Sequence, residues 1–255
     1  MTLATLRKLI DPGPTGQPQR GGLVVDGTEL PVIFKRNAQA RRIILRMNPK
    51  GEGVVLTVPP GTTQREALDF AISQGAWITA RLKRTPQTVA FADGVEVPFR
   101  GELHLVCHRP MPRRTVWCEE ASGVGGLPSL CVSGRIEHLP RRLKDWLKAQ
   151  ARADLSAASE RYAGEMGLKF SRLSIRDQSS RWGSCSSTGA LSYSWRLVLA
   201  PPDVLDYVAA HEVAHLAEMN HGPAFWSLVE RHCPHTKSAK RWLKQNGRGL
   251  HRYGA

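Results

Sequence analysis

Apolar and polar positions change their period several times along the chain. Between residues 23 and 58 the apolar residues fall in short, β-rich runs at 30–35, 42–47 and 53–58. Turn residues bound each run, among them Asn48, Pro49, Lys50 and Gly51, a pattern that predicts a β-meander. From 62 to 83 the period lengthens. Ala67, Phe70, Ala71, Ile78 and Leu82 recur at helical spacing after a threonine, Thr62 or Thr63, suited to capping a helix. Gly75 sits in the middle of that stretch and is its weak point. Short strands return at 95–99, 103–107, 115–118 and 129–132, separated by glycine-rich turns such as 122–126.

A different texture begins at Leu139. Leu143, Leu147, Ala151, Leu155, Ala158, Tyr162 and Met166 follow three or four residues apart, so a long amphipathic helix is predicted, with Pro140 in its first turn. Residues 173–199 are strand-like, broken by turn residues at 183–189, and suggest two or three antiparallel strands. Pro201 and Pro202 end that region, and Pro202 with Asp203 opens another helix well. The expected class is α+β. A Pro/Gly/Gln-rich tail is expected over 1–22, a β-rich N-terminal domain with one helix over 23–136, and a second domain over 137–255.

Composition narrows the options. The chain has 255 residues, 41% hydrophobic and 23% charged, which is ordinary for a globular protein with a real core. No apolar stretch approaches the ~20 residues of a membrane span, and the first residues carry no long apolar core with a cleavage site, so neither a membrane protein nor a secretory signal is expected. Five cysteines without a CxxC pair suggest reduced thiols and a cytoplasmic protein. The formal net charge of +14 favours anionic partners, whether nucleic acid, nucleotides or acidic proteins, or else marks a merely solvated basic surface.

The chemistry lies in the helix after Pro202. His211 and His215 are four residues apart, so one helical turn brings both imidazoles to one side, within reach of one ion. Glu212 follows the first histidine, about 100° around the helix, where its carboxylate can take a proton from metal-bound water without ligating the metal. Catalytic zinc, Zn2+, commonly has three protein ligands and one open position. His221 is placed to be the third, in the spacing HExxHxxxxxH. The metzincin pattern has glycine where this chain has Glu218, and Asn220 is the residue that could supply a left-handed turn instead. Glu218, Glu230, His232 and His235 are rival third ligands.

The run RWGSCSSTGALSYSWRLVLAPPDVLDYVAAHEVAHLAEMNHGPAFWSLV resembles the YgjP-like group of zincin metallopeptidases, related to the SprT-like and WLM-type minimal proteases. The likeness is strong from about 172 to 243 and weaker at 40–46 and 55–59. It implies a minimal zincin-like domain over 137–255, zinc on His211, His215 and His221, and Glu212 as general base. It also implies an antiparallel edge strand beside the active-site helix, at 191–199 or 181–185, to which a peptide can add. Arg181, Trp182 and Cys185 would then line the cleft, with Arg181 offsetting negative charge in the tetrahedral intermediate, unless they serve packing and ion pairing. Phe225 and Trp226 read as core that braces His221. The final helix, 237–245, presents Lys237, Lys240, Arg241 and Lys244.

The leading function is therefore a zinc-dependent metallopeptidase acting on peptide or protein substrates. Two alternatives stand beside it. One is hydrolysis of a nucleotide phosphoanhydride at the same site, although no Gly-rich phosphate loop of the Walker type is present. The other is a basic, nucleic-acid-associated module with structural zinc, although no nucleic-acid fold motif is evident.

Overall fold

The computed structural model describes residues 19–25, 27–48, 53–83, 88–111, 114–121, 125–178 and 180–254. The expected tail lies outside the described residues up to position 18, as do 49–51 and 122–124 of the two turns named above. The chain divides into two compact units, Met1–Gln87 and Thr88–Ala255.

The first unit contains β1 (Gln19–Val25), β2 (Thr28–Arg36), β3 (Ile44–Met47), β4 (Val54–Val58), α1 (Gln64–Ser73) and α2 (Gly75–Lys83). Residues 19–22, expected in the tail, are the start of β1, antiparallel to β2. The sheet order is β1-β2-β4-β3, with β4 parallel to β2 and antiparallel to β3, so the expected meander is replaced by a crossover. Burial explains the exchange: Val54, Leu56 and Val58 of β4 are all buried and take the interior, whereas Ile44, Leu45 and Met47 of β3 are only partly covered and lie at the edge. Ala67 and Ala71 of α1 and Ile78 of α2 join the core of this sheet. Helix α1 opens with a capping box: the Glu66 N–H donates to Thr63 Oγ1 at 3.2 Å and the Thr63 N–H donates to Glu66 Oε2 at 2.8 Å. The one helix expected over 62–83 is two, parted at Gln74 and Gly75.

The second unit begins with β5 (Glu96–Phe99), β6 (Glu102–His108), β7 (Val116–Glu119) and β8 (Ser129–Val132), in the order β5-β6-β8-β7. The boundary expected near 136 lies instead between Gln87 and Thr88. The reason is a shared core: Val97, Phe99, Val106, Leu130 and Val132 of this sheet pack in one cluster with Leu139, Leu143 and Leu147 of α3 (Leu139–Met166). The buried stripe of α3 runs through Ala151, Leu155, Ala158 and Tyr162, as its periodicity predicts.

After α3 come β9 (Arg172–Arg176), β10 (Gly183–Cys185) and β11 (Ala190–Ser194), then α4 (Pro202–Ala214), α5 (Pro223–His232) and α6 (Thr236–Leu250). β11 is the middle strand, with β10 antiparallel on one side and β9 parallel on the other, so the set is not wholly antiparallel. Residues 195–199, expected as strand, form a 3-10 turn with Trp195, Leu197, Val198 and Leu199 buried. This turn is held from outside by the β5–β6 hairpin, whose two loop residues, Arg100 (φ 51°) and Gly101 (φ 85°), are both left-handed, as a type I′ turn requires. The Arg100 N–H donates to the Val198 carbonyl at 2.7 Å, and a Cβ on Gly101 would lie 2.8 Å from Pro201 Cα. The hairpin thus pins the residues that launch α4.

Asp206 fastens α4 to its neighbours. Its carboxylate accepts from the Arg161 guanidinium and the Tyr162 hydroxyl of α3, and lies 3.0 Å from His235 Nε2 between α5 and α6. Asp206→Ala leaves these donors without their acceptor and is expected to cost roughly 2 kcal/mol of stability. Urea unfolding checks this, and an unchanged midpoint would show that the contacts contribute nothing. No helix among the described residues is long and apolar enough to cross a membrane. The five cysteines are free.

Candidate metal centre

Helix α4 begins where Pro201 and Pro202 meet the hairpin and carries Asp203 in its first turn. Val204, Leu205, Val208, Ala209, Val213 and Ala214 are buried in the core of the unit, which fixes the helix axially and rotationally. The rings of His211 and His215, one turn apart, lie 4.9 Å from each other at 88°. Helix α4 stops at Ala214. The next turn tightens, with the Leu216 N–H bonded to the Val213 carbonyl and the Ala217 N–H to the Ala214 carbonyl. A further short loop closes from the Gly222 N–H to the Asn220 carbonyl. The left-handed turn expected at Asn220 is not formed, since Arg100 is the one non-glycine with positive φ among the described residues. The tightened turn and the Asn220–Gly222 closure accompany the reversal instead.

The reversal returns His221 to α4. Its ring lies 5.0 Å from that of His211 and 4.7 Å from that of His215, and its Nε2 is 3.1 Å from His211 Nε2. One nitrogen from each histidine lies within 4.8 Å of the others. His215 is held by its far side, Nδ1 facing the Glu218 carbonyl at 3.0 Å, and His211 Nδ1 faces the Tyr207 hydroxyl at 3.5 Å. A carbonyl only accepts, so His215 Nδ1 carries the proton and its Nε2 lone pair is left for the common point. Burial, the neighbouring imidazoles and the Lys240 charge hold His211 down to about 3, and burial likewise lowers His215. Both are therefore neutral at physiological pH, the form that can ligate. Three imidazoles from two chain segments fit a catalytic zinc donor set.

The rivals for third position stand elsewhere. Glu218 offers its backbone carbonyl to His215, Glu230 is exposed, and His232 lies 3.5 Å from Glu165. His235 belongs to a second close group with Asp206 and Cys233. There the Asp206 carboxylate is already occupied by Arg161 and Tyr162, so the group is a polar clamp between helices.

Glu212 is 6% exposed, and burial pushes its carboxyl up to about 7 against the opposing pull of Arg181 and the Cys185 backbone N–H. It lies against the edge strand: a Cβ built on Gly183 would meet Glu212 Oε1 at 2.5 Å and Cγ at 2.6 Å. Glycine at 183 therefore makes room for the carboxylate. A glycine within a strand-like run is the signal that could have flagged this close approach. Arg181 is exposed, and its charge reaches Glu212. Cys185 adjoins Glu212 as well. Trp182 faces another way, stacked on His251 at 5.0 Å and 29° and packed over Gly247 of α6. It packs β10 against the last helix.

Helix α5 supplies an aromatic wall. Phe225, fully buried, stacks on His215 at 4.5 Å and 29°, and Trp226 stacks on His221 at 5.7 Å and 23°. Lys240 of α6 sets its Nζ 3.7 Å from the centre of the Trp226 ring. The sequence reading places Lys240 only on a generic basic face.

The YgjP-like metallopeptidase domain matches residues 41–246. The chain belongs to the YgjP-like metallopeptidase family. A metal-dependent hydrolytic activity follows at the level of that family, and the α+β class expected from the sequence agrees with the fold. Among solved structures, the metallopeptidase zymogen of Pyrococcus abyssi abylysin is similar at 20% identity and a TM-score of 0.33, over 36% of this chain and 93% of that one. No curated protein matches the chain.

Proposed function

We propose that this YgjP-like chain is a zinc-dependent peptidase, with the ion held by His211, His215 and His221 and with Glu212 as general base. One observation carries the reading: three imidazole nitrogens from two separate segments converge within 4.8 Å on the helix that also carries the buried carboxylate of Glu212. A zinc ion held there supplies Lewis acidity, lowering the pKa of water and polarising a carbonyl.

The chain's own groups do the rest. Glu212 takes the proton of the attacking water on its carboxylate and passes it to the amide nitrogen as the C–N bond breaks. Burial raises the proton affinity of this carboxylate, which favours its taking the proton. Arg181, beside Glu212, offsets the negative charge that develops on the carbonyl oxygen. β10 is an edge strand packed on α4, so an extended peptide can pair along its outer side next to Glu212. The other edge considered from the sequence, 191–199, is excluded at 191–194, because β11 has neighbours on both sides.

Zinc-loaded protein is expected to cleave casein or an unstructured peptide, to lose activity to a chelator and to regain it with zinc. His221→Ala is expected to weaken zinc binding about 100-fold or more, since even the outer partners of zinc ligands typically matter at the 10–100-fold level. A His221→Ala protein with one zinc per chain at unchanged affinity would overturn the ligand set. Phosphate release from nucleotides without peptide cleavage would overturn the substrate class.

A further inference from the structure

Helix α6 is chemically one-sided. Between Thr236 and Leu250 it carries Lys237, Lys240, Arg241, Lys244 and Arg248 and no acidic residue. Thr236, Ala239, Gly247 and Leu250 face the core, and the helix packs on α4. Among the described residues none of its five cations enters an ion pair. Lys240 differs from the other four in position. Its ammonium sits 3.7 Å from the centre of the Trp226 ring, a cation–π contact that holds a long, flexible side chain in one place. Trp226 in turn stacks on His221 and lies 5.8 Å from His211.

A fixed positive charge is unfavourable for this site on its own. It repels a divalent cation at the three histidines. An anionic group on the bound substrate would reverse that balance, because it would meet the ammonium directly. Arg181, whose charge acts on Glu212, precedes β10 and is on that side. Lys240 is on the α5–α6 side, where Trp226 forms the wall.

We propose that Lys240 is a specificity-determining residue that binds a carboxylate of the substrate close to the scissile bond. The inference rests on the peptidase reading above. The carboxylate can come from an aspartate or glutamate side chain or from a free C-terminus, and both present the same charge-assisted acceptor to a lysine.

The test measures binding, so it does not depend on turnover. Three labelled peptides share one core sequence: a neutral amidated peptide, an amidated peptide with an internal glutamate, and the neutral peptide with a free C-terminus. Their affinities for zinc-loaded Glu212→Gln protein are read by fluorescence anisotropy, with and without Lys240→Ala, Lys240→Arg or Lys240→Glu. One or both carboxylate peptides are expected to bind about tenfold tighter than the neutral one. Which of them does so identifies the source of the carboxylate. That ratio falls to near one in Lys240→Ala, survives in Lys240→Arg and inverts in Lys240→Glu.

A purely structural lysine would weaken all peptides alike and leave the ratio unmoved, which overturns the proposal. So does equal binding of all three peptides to the Lys240-containing protein. Tight, Lys240-dependent binding of a single-stranded oligonucleotide with no preference among the peptides would overturn it in favour of nucleic acid. Failure of the peptidase reading is seen separately, as zinc-loaded wild-type protein that cleaves no peptide.

Discussion

Glu212→Gln is expected to reduce peptide turnover roughly a thousandfold, the scale of a lost general base, while zinc content and fold persist. The amide matches the carboxylate in shape but cannot take a proton from water. It still offers an oxygen to the Cys185 N–H, which now interacts with the carboxylate. The histidines are untouched, so metal analysis should return the wild-type stoichiometry. Steady-state kinetics on one peptide substrate, paired with elemental analysis and a thermal melt, checks all three statements. Activity within a few-fold of wild type at full zinc loading would remove Glu212 from the base role. Lost activity together with lost zinc would mean that the substitution disturbs the ligands and says nothing specific about proton transfer.

Gly183→Ala is expected to have the second largest effect, and it acts without touching a histidine. The new methyl would lie 2.5 Å from Glu212 Oε1, 2.6 Å from Cγ and 2.8 Å from Cδ, all closer than real Cβ contacts allow. Gly183 has no left-handed backbone, so alanine suits the strand itself. The clash is with the Glu212 side chain, from Cγ outward, and not with backbone. What moves is the carboxylate that must meet the water. Displacing a reacting group by about 1 Å typically costs on the order of 100-fold in rate, so kcat should fall by about that much while Tm changes little. If Gly183→Ala keeps wild-type kcat, the observed carboxylate position is not the reactive one. If it unfolds the protein, the contact is structural.

These two residues illustrate how unevenly the site is legible. His211, Glu212 and His215 share one helical turn, and the helix period alone sets which way each points. Their role could therefore be proposed from spacing, and the structure places the two rings 4.9 Å apart. His221 is six residues further on, beyond the end of α4, and no period carries across the intervening turn. Spacing made it a candidate among several, and Asn220, the residue that could have supplied a left-handed turn, stays out of that region. Gly183 and Lys240 meet the site only because β10 and α6 pack on α4. Nothing local to either residue names Glu212 or Trp226 as its neighbour.

The same division runs through the fold. Strand positions 96–99, 102–108, 116–119 and 129–132 and the stripe of α3 are close to what alternation and helical spacing predict, because each pattern reports which side of one element is buried. Pairing order is another matter. β4 entered the middle of its sheet, β9 ran parallel to β11, and the sheet of β5–β8 joined the unit of the histidines. Each outcome depends on which buried face finds which partner. By itself, then, the sequence determined most of the strands, the stripe of α3 and the HExxH helix, since those follow from backbone geometry within a few residues. The tertiary structure decided the strand order, the return of His221, the room left by Gly183 for a carboxylate and the station of Lys240, since those follow from burying surfaces far apart in the chain.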